Sequence, residues 1–209
     1  MTNKILVVDD HLIVRIGISM VLKKEIENLN IWSAENYIDA LSLLKEKSFD
    51  LVILDIGIPG GKNVGMIEEI RDIQPNIKIL IFSAFEEDLY ACRYIISGAN
   101  GYLNKLSKED KIIEATRAIL EKGKYIQPEI VNKIVESALN KTPLNPLDML
   151  SKREFEIAEL IVAGEGNLEI CNKLDIQMST VSTYKNRVFE KLKVTNIVDL
   201  IEIFKIYVY

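Results

Sequence analysis

The sequence predicts a doubly wound α/β domain built from five consecutive β-α units, (βα)5, followed by a smaller all-α domain. Three observations carry this reading. Short apolar runs alternate with segments of helical period between residues 5 and 120. Residues 140–146, Asn-Lys-Thr-Pro-Leu-Asn-Pro, then break the pattern, because two prolines and two asparagines in seven residues do not continue a helix. Beyond them the strand signals stop and only helical periodicity remains.

The elements follow in order. Residues 5–8 (Ile-Leu-Val-Val), 51–54 and 77–82 are unbroken apolar runs, as expected of strands buried on both faces of a parallel sheet. Residues 31–34 and 101–103 give weaker signals of the same kind. Helices are expected at 13–23, 38–44, 64–72, 88–97 and 108–120; in 38–44 the apolar positions recur three and four apart. Strand and helix thus alternate five times, which implies helices on both faces of the sheet. A further helix is expected from Pro128, a good first-turn residue, to about Ala138. After the break, helices are expected at 151–162, 167–174, 179–192 and 196–208. Ser151 with Glu154 three residues on, and Ser179 with Thr180 beside it, are the N-cap candidates. The expected division is an α/β domain at 3–121, a helix and linker at 122–149, and a helical domain at 150–209.

Composition narrows the function classes. With 209 residues, 48% hydrophobic and 27% charged, the chain suits one large globular domain or two small ones and not a disordered chain. No apolar run approaches the roughly 18–20 residues of a membrane span. The apolar run at the N-terminus is four residues long and ends in two aspartates, too short for the roughly 7–15-residue core of a signal peptide, so a cytoplasmic protein is expected. Cys92 and Cys171 have no metal-ligand spacing, which argues against a disulfide framework or zinc site, and Cys92 reads as a small buried hydrophobe. His11 is the only histidine and reads as a loop residue without a partner. A net charge of −5 argues mildly against nucleic acid, yet whole-chain charge says little when a local basic patch makes the contacts.

Open parallel sheets bind ligands beyond the carboxyl ends of their strands. There the sequence collects Asp9 and Asp10 after the first strand, Asp55 after the third, Ser83 after the fourth and Lys105 after the fifth. Hard Mg²⁺ binds carboxylates, water and phosphate oxygens, so Asp9, Asp10 and Asp55 form a candidate magnesium site. Asp55 is then a candidate nucleophile that forms an acyl phosphate. Lys105 would pair with the new phosphoryl oxygens, and the Ser83 hydroxyl would donate to one of them.

These residues, with Gly101-Tyr102-Leu103-Asn104-Lys105 and Ser83-Ala84, resemble the receiver domain of bacterial two-component response regulators, in order and with suitable spacing. The resemblance implies a flavodoxin-like fold and Asp55 as phosphoacceptor. It also implies the Gly57 carbonyl as a further magnesium ligand, Ser83 as switch hydroxyl and Tyr102 as switch aromatic. Movement of Ser83 toward the phosphoryl group would vacate space for Tyr102. The chain departs from the family in the loop at 57–63, which lacks the usual Asp-Gly pair, and in having Ser83 for the commoner Thr.

In the C-terminal part, residues 167–174 and 179–192 are two helices joined by a short turn, a helix-turn-helix unit whose second helix is the candidate reader of the major groove. From residue 179 to 193, Lys185, Arg187, Lys191 and Lys193 stand against Glu190, four minus one, or +3. Thr180, Ser182, Thr183, Tyr184, Lys185, Asn186 and Arg187 are the candidate DNA contacts. On composition alone the bland reading, a solvated basic face, is the better one. Residues 150–203 nevertheless resemble the LuxR-type helix-turn-helix domain of the NarL/FixJ class of response regulators. Ser182 stands where the family commonly has Lys, Tyr184 where it has His and Cys171 where it has Ala, which shifts the expected phosphate contacts onto Lys185 and Arg187.

The resemblance implies a transcription regulator controlled by phosphorylation, with a sensor histidine kinase and double-stranded promoter DNA as partners and a homodimer formed on phosphorylation. Its only expected catalysis is of its own phosphorylation and dephosphorylation. An aspartyl-phosphate phosphatase of the haloacid dehalogenase type would need a second acid two residues after the nucleophile, where this chain has Gly57. The remaining alternative is a phosphorylation-independent DNA binder with a vestigial receiver.

Overall fold

The computed structural model describes residues 2–85, 87–141 and 143–208. It divides into two units, Met1–Glu136 and Ser137–Tyr209.

The first unit runs β1 (Asn3–Val8), α1 (Leu12–Glu25), β2 (Leu29–Ala34), α2 (Tyr37–Glu46), β3 (Leu51–Leu54), α3 (Gly65–Ile73), β4 (Lys78–Ser83), α4 (Glu87–Ile96), β5 (Gly101–Asn104) and α5 (Glu109–Lys122). The five strands are parallel, in the order β2-β1-β3-β4-β5. Alternation along the strands sends Ile5, Val7, Leu51, Ile53, Leu80, Phe82 and Leu103 to one face, where they meet Ile18 and Leu22 of α1 and Ile112, Ala115 and Ile119 of α5. Tyr37 and Leu44 of α2 and Met66, Ile67 and Ile70 of α3 are buried as well. A fully buried Leu or Ile contributes roughly 1.5–3 kcal/mol, so two covered faces hold the sheet rigid.

Two features of this sheet place the site. Val8 pairs with Ala34 and with Leu54, and Leu54 with Ile81, so β4 and β5, paired at Ser83 and Asn104, run two residues past the carboxyl ends of the other three strands. The chain order also reverses at β1, which leaves a crevice between β1 and β3. The apolar run expected at 77–82 is shifted by one residue, so Ser83 is the last residue of β4.

After α5 ends at Gly123 (φ +82°), Tyr125 bridges to Gly101 at the sheet edge. The next helix, α6 (Pro128–Asn140), starts at the expected proline, runs two residues past the expected end and spans the division between the units. In the second unit a 3-10 turn at Pro146–Met149 precedes α7 (Lys152–Val162), α8 (Asn167–Leu174), α9 (Met178–Leu192) and α10 (Ile197–Tyr207). Leu147 of that turn joins a core of Ile157, Ala158, Ile161, Ile170, Val181, Val188, Leu192, Leu200 and Phe204. The end of the expected linker therefore packs with the helices.

The cap expectations divide. Ser151 caps α7 in a capping box: its hydroxyl accepts from Glu154 N–H, and the Glu154 carboxylate accepts from Ser151 N–H at 2.7 Å. Ser179 is not a cap. Gln177 occupies the cap of α9, and the helix begins at Met178, because Gln177 C=O already accepts from Thr180 and Val181. Ser179 lies in the first turn, where its carbonyl accepts from the Thr183 hydroxyl at 2.8 Å.

Candidate functional site

Buried strands end at the sheet edge, and the polar residues that follow them converge. Asp9 and Asp55 are buried, whereas Asp10 lies at the rim. The Lys105 ammonium bridges the two buried carboxylates, 2.6 Å from Asp9 Oδ2 and 2.8 Å from Asp55 Oδ2. Burial opposes the Lys105 charge, but Asp55 and Asp9 more than offset it and hold the ammonium above its ordinary pKa. Lys105 N–H also donates to Ser83 C=O at 2.7 Å, tying its loop to the end of β4.

His11 is not without a partner, contrary to the sequence reading. Its Nδ1 lies 2.6 Å from Asp10 Oδ1 and 3.3 Å from Asp9 Oδ1, and its backbone N–H donates to Asp9 Oδ1 at 2.9 Å. The tight turn into α1 folds the imidazole back over the aspartates. Arg15, which the sequence analysis did not single out, is buried in α1 and donates to the Asp9 carbonyl at 2.6 Å.

The donor set suits a hard divalent cation. Asp9, Asp10, His11 and Asp55 each offer a ligand atom, and these atoms lie within 4.8 Å of one another. Asp9 Oδ2 is buried, with the Lys105 ammonium 2.6 Å away as its partner. A Cβ at Gly57 would sit 3.7 Å and 3.8 Å from the two Asp55 carboxylate oxygens, so glycine there leaves Asp55 open to approach.

Ser83 and Tyr102 meet at the next loop. Ser83 is fully buried, and its hydroxyl accepts from Phe85 N–H at 3.2 Å. Tyr102 is 2% exposed and its hydroxyl donates to Phe85 C=O at 3.0 Å. Burial pushes the Tyr102 phenol well above its usual pKa, with a hydrogen bond to Ser83 acting the other way. The ring expected to enter vacated space is already inside in this structure.

In the second unit, α8 and α9 form the helix-turn-helix, joined through Asp175 in the left-handed conformation (φ +51°). Arg153 of α7 donates to Leu174 C=O at 3.0 Å, which pins the end of α8. Val181, Val188 and Leu192 anchor α9 in the core. Thr183, Asn186 and Arg187 are exposed, while Thr180, Ser182, Tyr184 and Lys185 are half-buried. Tyr184 also packs against the core. Lys185 lies over the Phe189 ring at 5.6 Å and Arg187 over the Tyr184 ring at 5.8 Å, so aromatic faces hold both cations. Lys191 departs from the expected basic face, because its ammonium pairs with Glu154 at 2.7 Å and donates to Met149 C=O at 3.1 Å.

Among the described residues no helix is long and apolar enough to cross a membrane. Residues 5–117 match the response regulator receiver domain family, and residues 148–204 match the bacterial regulatory proteins of the luxR family. The chain is 32% identical to the Fimbriae Z protein of Escherichia coli (strain K12) over 205 residues, 98% of this chain and 97% of that one. It is 36% identical to the response regulator GacA of Pseudomonas aeruginosa over 202 residues, 94% of this chain and 92% of that one. Among solved structures it resembles RcsB from Salmonella enterica serovar Typhimurium, bound to a promoter in the presence of the phosphomimetic BeF3−, with a TM-score of 0.75, 26% identity and 98% of each chain covered. The chain belongs to the NarL/FixJ class of two-component response regulators, transcription regulators in which a receiver domain is followed by a LuxR-type DNA-binding domain.

Proposed function

We propose that Asp55 is the phosphoacceptor of this regulator and that its phosphorylation by a sensor histidine kinase controls binding to promoter DNA. The observation that carries this reading is the convergence of Asp9, Asp10, Asp55 and Lys105 at one sheet edge. In the transfer, an Asp55 carboxylate oxygen forms a bond to phosphorus as the bond from phosphorus to the donor imidazole nitrogen breaks; the imidazole keeps the electron pair and takes up a proton. Asp9, Asp10, Asp55 and the Gly57 carbonyl would hold Mg²⁺, which when bound neutralises the carboxylates and polarises the phosphoryl oxygens. Lys105 turns from the carboxylates to the phosphoryl oxygens as these develop, and Ser83 donates its O–H to one of them. The chain thus assists its own phosphorylation and its slow hydrolysis, and acts on no separate substrate.

On this reading the receiver is 3–121, the connecting segment 122–149, whose Leu147 packs with the helices that follow, and the DNA-binding domain 150–209. Among the candidate contacts Thr180, Ser182, Thr183, Tyr184, Lys185, Asn186 and Arg187 of α9, the exposed Thr183, Asn186 and Arg187 are the best placed to meet promoter DNA, and a homodimer formed on phosphorylation presents two such helices. Such a regulator works in the cytoplasm, where a kinase domain and DNA are both within reach.

The experiment is incubation of the full chain with acetyl phosphate and Mg²⁺, read by intact mass. The expected result is one added phosphoryl group in the wild type and none in Asp55→Asn, which conserves side-chain volume. Equal uptake by Asp55→Asn would remove Asp55 from this role. No uptake by the wild type would favour the vestigial receiver.

A further inference from the structure

His11, the chain's only histidine, stands at the mouth of the acidic pocket. Its side chain is 68% exposed, so hydrophobic packing does not place it there. Its Nδ1 lies 2.6 Å from Asp10 Oδ1 and 3.3 Å from Asp9 Oδ1. One ligand atom each from Asp9, Asp10, His11 and Asp55 falls within 4.8 Å of the others. The His11 backbone N–H donates to Asp9 Oδ1 at 2.9 Å, a bond that aims this carboxylate without help from the imidazole.

These separations suit neighbouring ligands on one ion. An octahedral divalent cation about 2.1 Å from its ligands holds two of them at right angles about 3 Å apart. The two distances from Nδ1 bracket that value. A neutral imidazole offers Nδ1 as a lone-pair donor when its proton is on Nε2. Imidazole nitrogen suits first-row transition ions, whereas Mg²⁺ favours oxygen and dehydrates reluctantly. We propose that His11 is a nitrogen ligand of the metal site formed with Asp9, Asp10 and Asp55, and that it biases this site toward first-row transition ions over Mg²⁺. The claim rests on the acidic pocket being the metal site of the phosphoacceptor. The competing explanation is a hydrogen bond from Nδ1–H to Asp10 alone, which orients a carboxylate and puts no nitrogen on the metal.

Two measurements on the full chain, made without a polyhistidine tag, separate these explanations. The first is calorimetric titration of the wild type and of His11→Phe with Mg²⁺ and with Co²⁺. The variant keeps the backbone N–H that meets Asp9 and an exposed planar ring, but its ring has no lone pair to give. The second is NMR of the wild type with ¹⁵N-labelled histidine, which reports this imidazole alone because the chain has one histidine. His11→Phe is expected to bind Co²⁺ on the order of tenfold more weakly, the lower end of what even an outer-shell loss costs, with Mg²⁺ affinity nearly unchanged. Co²⁺ is expected to give His11 Nδ1 the large contact shift of a directly bound nitrogen, well above that at Nε2. Equal weakening of Co²⁺ and Mg²⁺, or no weakening of either, would overturn the selectivity. Saturable Co²⁺ binding without a contact shift at Nδ1 would overturn the ligand and leave the hydrogen bond to Asp10. Failure of the wild type to bind either ion would overturn the metal-site reading itself, an outcome distinct from binding that ignores His11.

Discussion

Glu154 and Lys191, 37 residues apart in sequence, meet at 2.7 Å, joining the first turn of α7 to the last turn of α9. The carboxylate is buried, and it also accepts from Ser151 N–H at 2.7 Å. Lys191 and the Ser151 backbone together hold the Glu154 carboxyl down to about 2. The pair locks α9 to the first turn of α7.

Glu154→Gln should therefore destabilise the helical unit in a pH-dependent way. The folded pKa lies below the ordinary value of 4.5, so the stabilisation is fully present above that pH and is lost as pH falls through about 2. Because Lys191 is 41% exposed, the expected cost near neutrality is modest, about 1 kcal/mol. Amide exchange in α7 across that window checks the prediction. A wild-type minus variant difference that stays constant from pH 6 to pH 2 would exclude the ion pair as its source.

At the acidic pocket, the Lys105 ammonium pairs with Asp9 and Asp55, two of the carboxylates that would hold a divalent cation. Two cations compete for one pair of carboxylates, so Lys105→Met should bind Mg²⁺ more tightly than the wild type while accepting phosphoryl groups more slowly. Asp10→Ala should weaken Mg²⁺ binding by roughly tenfold or more, judging from the 10–100-fold typical of outer-shell losses. Calorimetric titration measures both affinities. Weaker Mg²⁺ binding by Lys105→Met would show that the ammonium organises the carboxylates and does not compete for them.

Ser83→Ala removes the acceptor for Phe85 N–H as well as the donor proposed for the phosphoryl group. The variant should still accept phosphate on Asp55, yet show no rise in DNA affinity on phosphorylation. Tyr102 is already buried, so a response cannot consist simply of its ring moving inward from solvent. A normal phosphorylation-dependent gain in DNA affinity by Ser83→Ala would end the assignment of this hydroxyl.

The strand-end residues were legible because burial on both faces writes itself as apolar runs, and whatever polar group follows such a run must lie at the sheet edge. Asp9, Asp55 and Lys105 were placed in this way. Local signals fared unevenly. The Ser151 and Glu154 spacing encodes a reciprocal pair of hydrogen bonds, whereas Ser179 followed by Thr180 offers two equivalent starts and the helix took neither. Lys191 adds to the +3 charge of residues 179–193, but its pairing is not legible in sequence, because its partner is 37 residues away and no periodicity reports it. The bond from Asn104 to Phe85 C=O is illegible for the same reason, since its partner lies after another strand. His11 differs from the expectation of a loop residue without a partner because the turn after β1 brings its imidazole to Asp10 and Asp9, a closeness that residue type alone does not report.

The structure also sharpens what should be seen on DNA. With Lys191 engaged by Glu154, the cations left to meet phosphate from the middle of α9 are Lys185 and Arg187, each resting on an aromatic ring. An ordered cation loses less side-chain freedom on binding, so both should contribute to affinity regardless of base sequence. Each phosphate contact releases counterions worth a slope of about 0.9 in log K against log salt. Lys185→Ala combined with Arg187→Ala should therefore flatten the slope by about 1.8 per monomer, and by twice that if the bound species is a dimer with two reader helices. Thr183 and Asn186, exposed on the same helix and uncharged, should instead change which sequences are preferred at an unchanged slope. Lys191→Ala should leave the slope nearly intact and weaken the fold, the reverse of what its charge alone suggests. Binding to a genomic target across a salt series, with and without acetyl phosphate, tests all three. A Lys191→Ala slope that falls as far as that of Lys185→Ala would place Lys191 on the DNA as well.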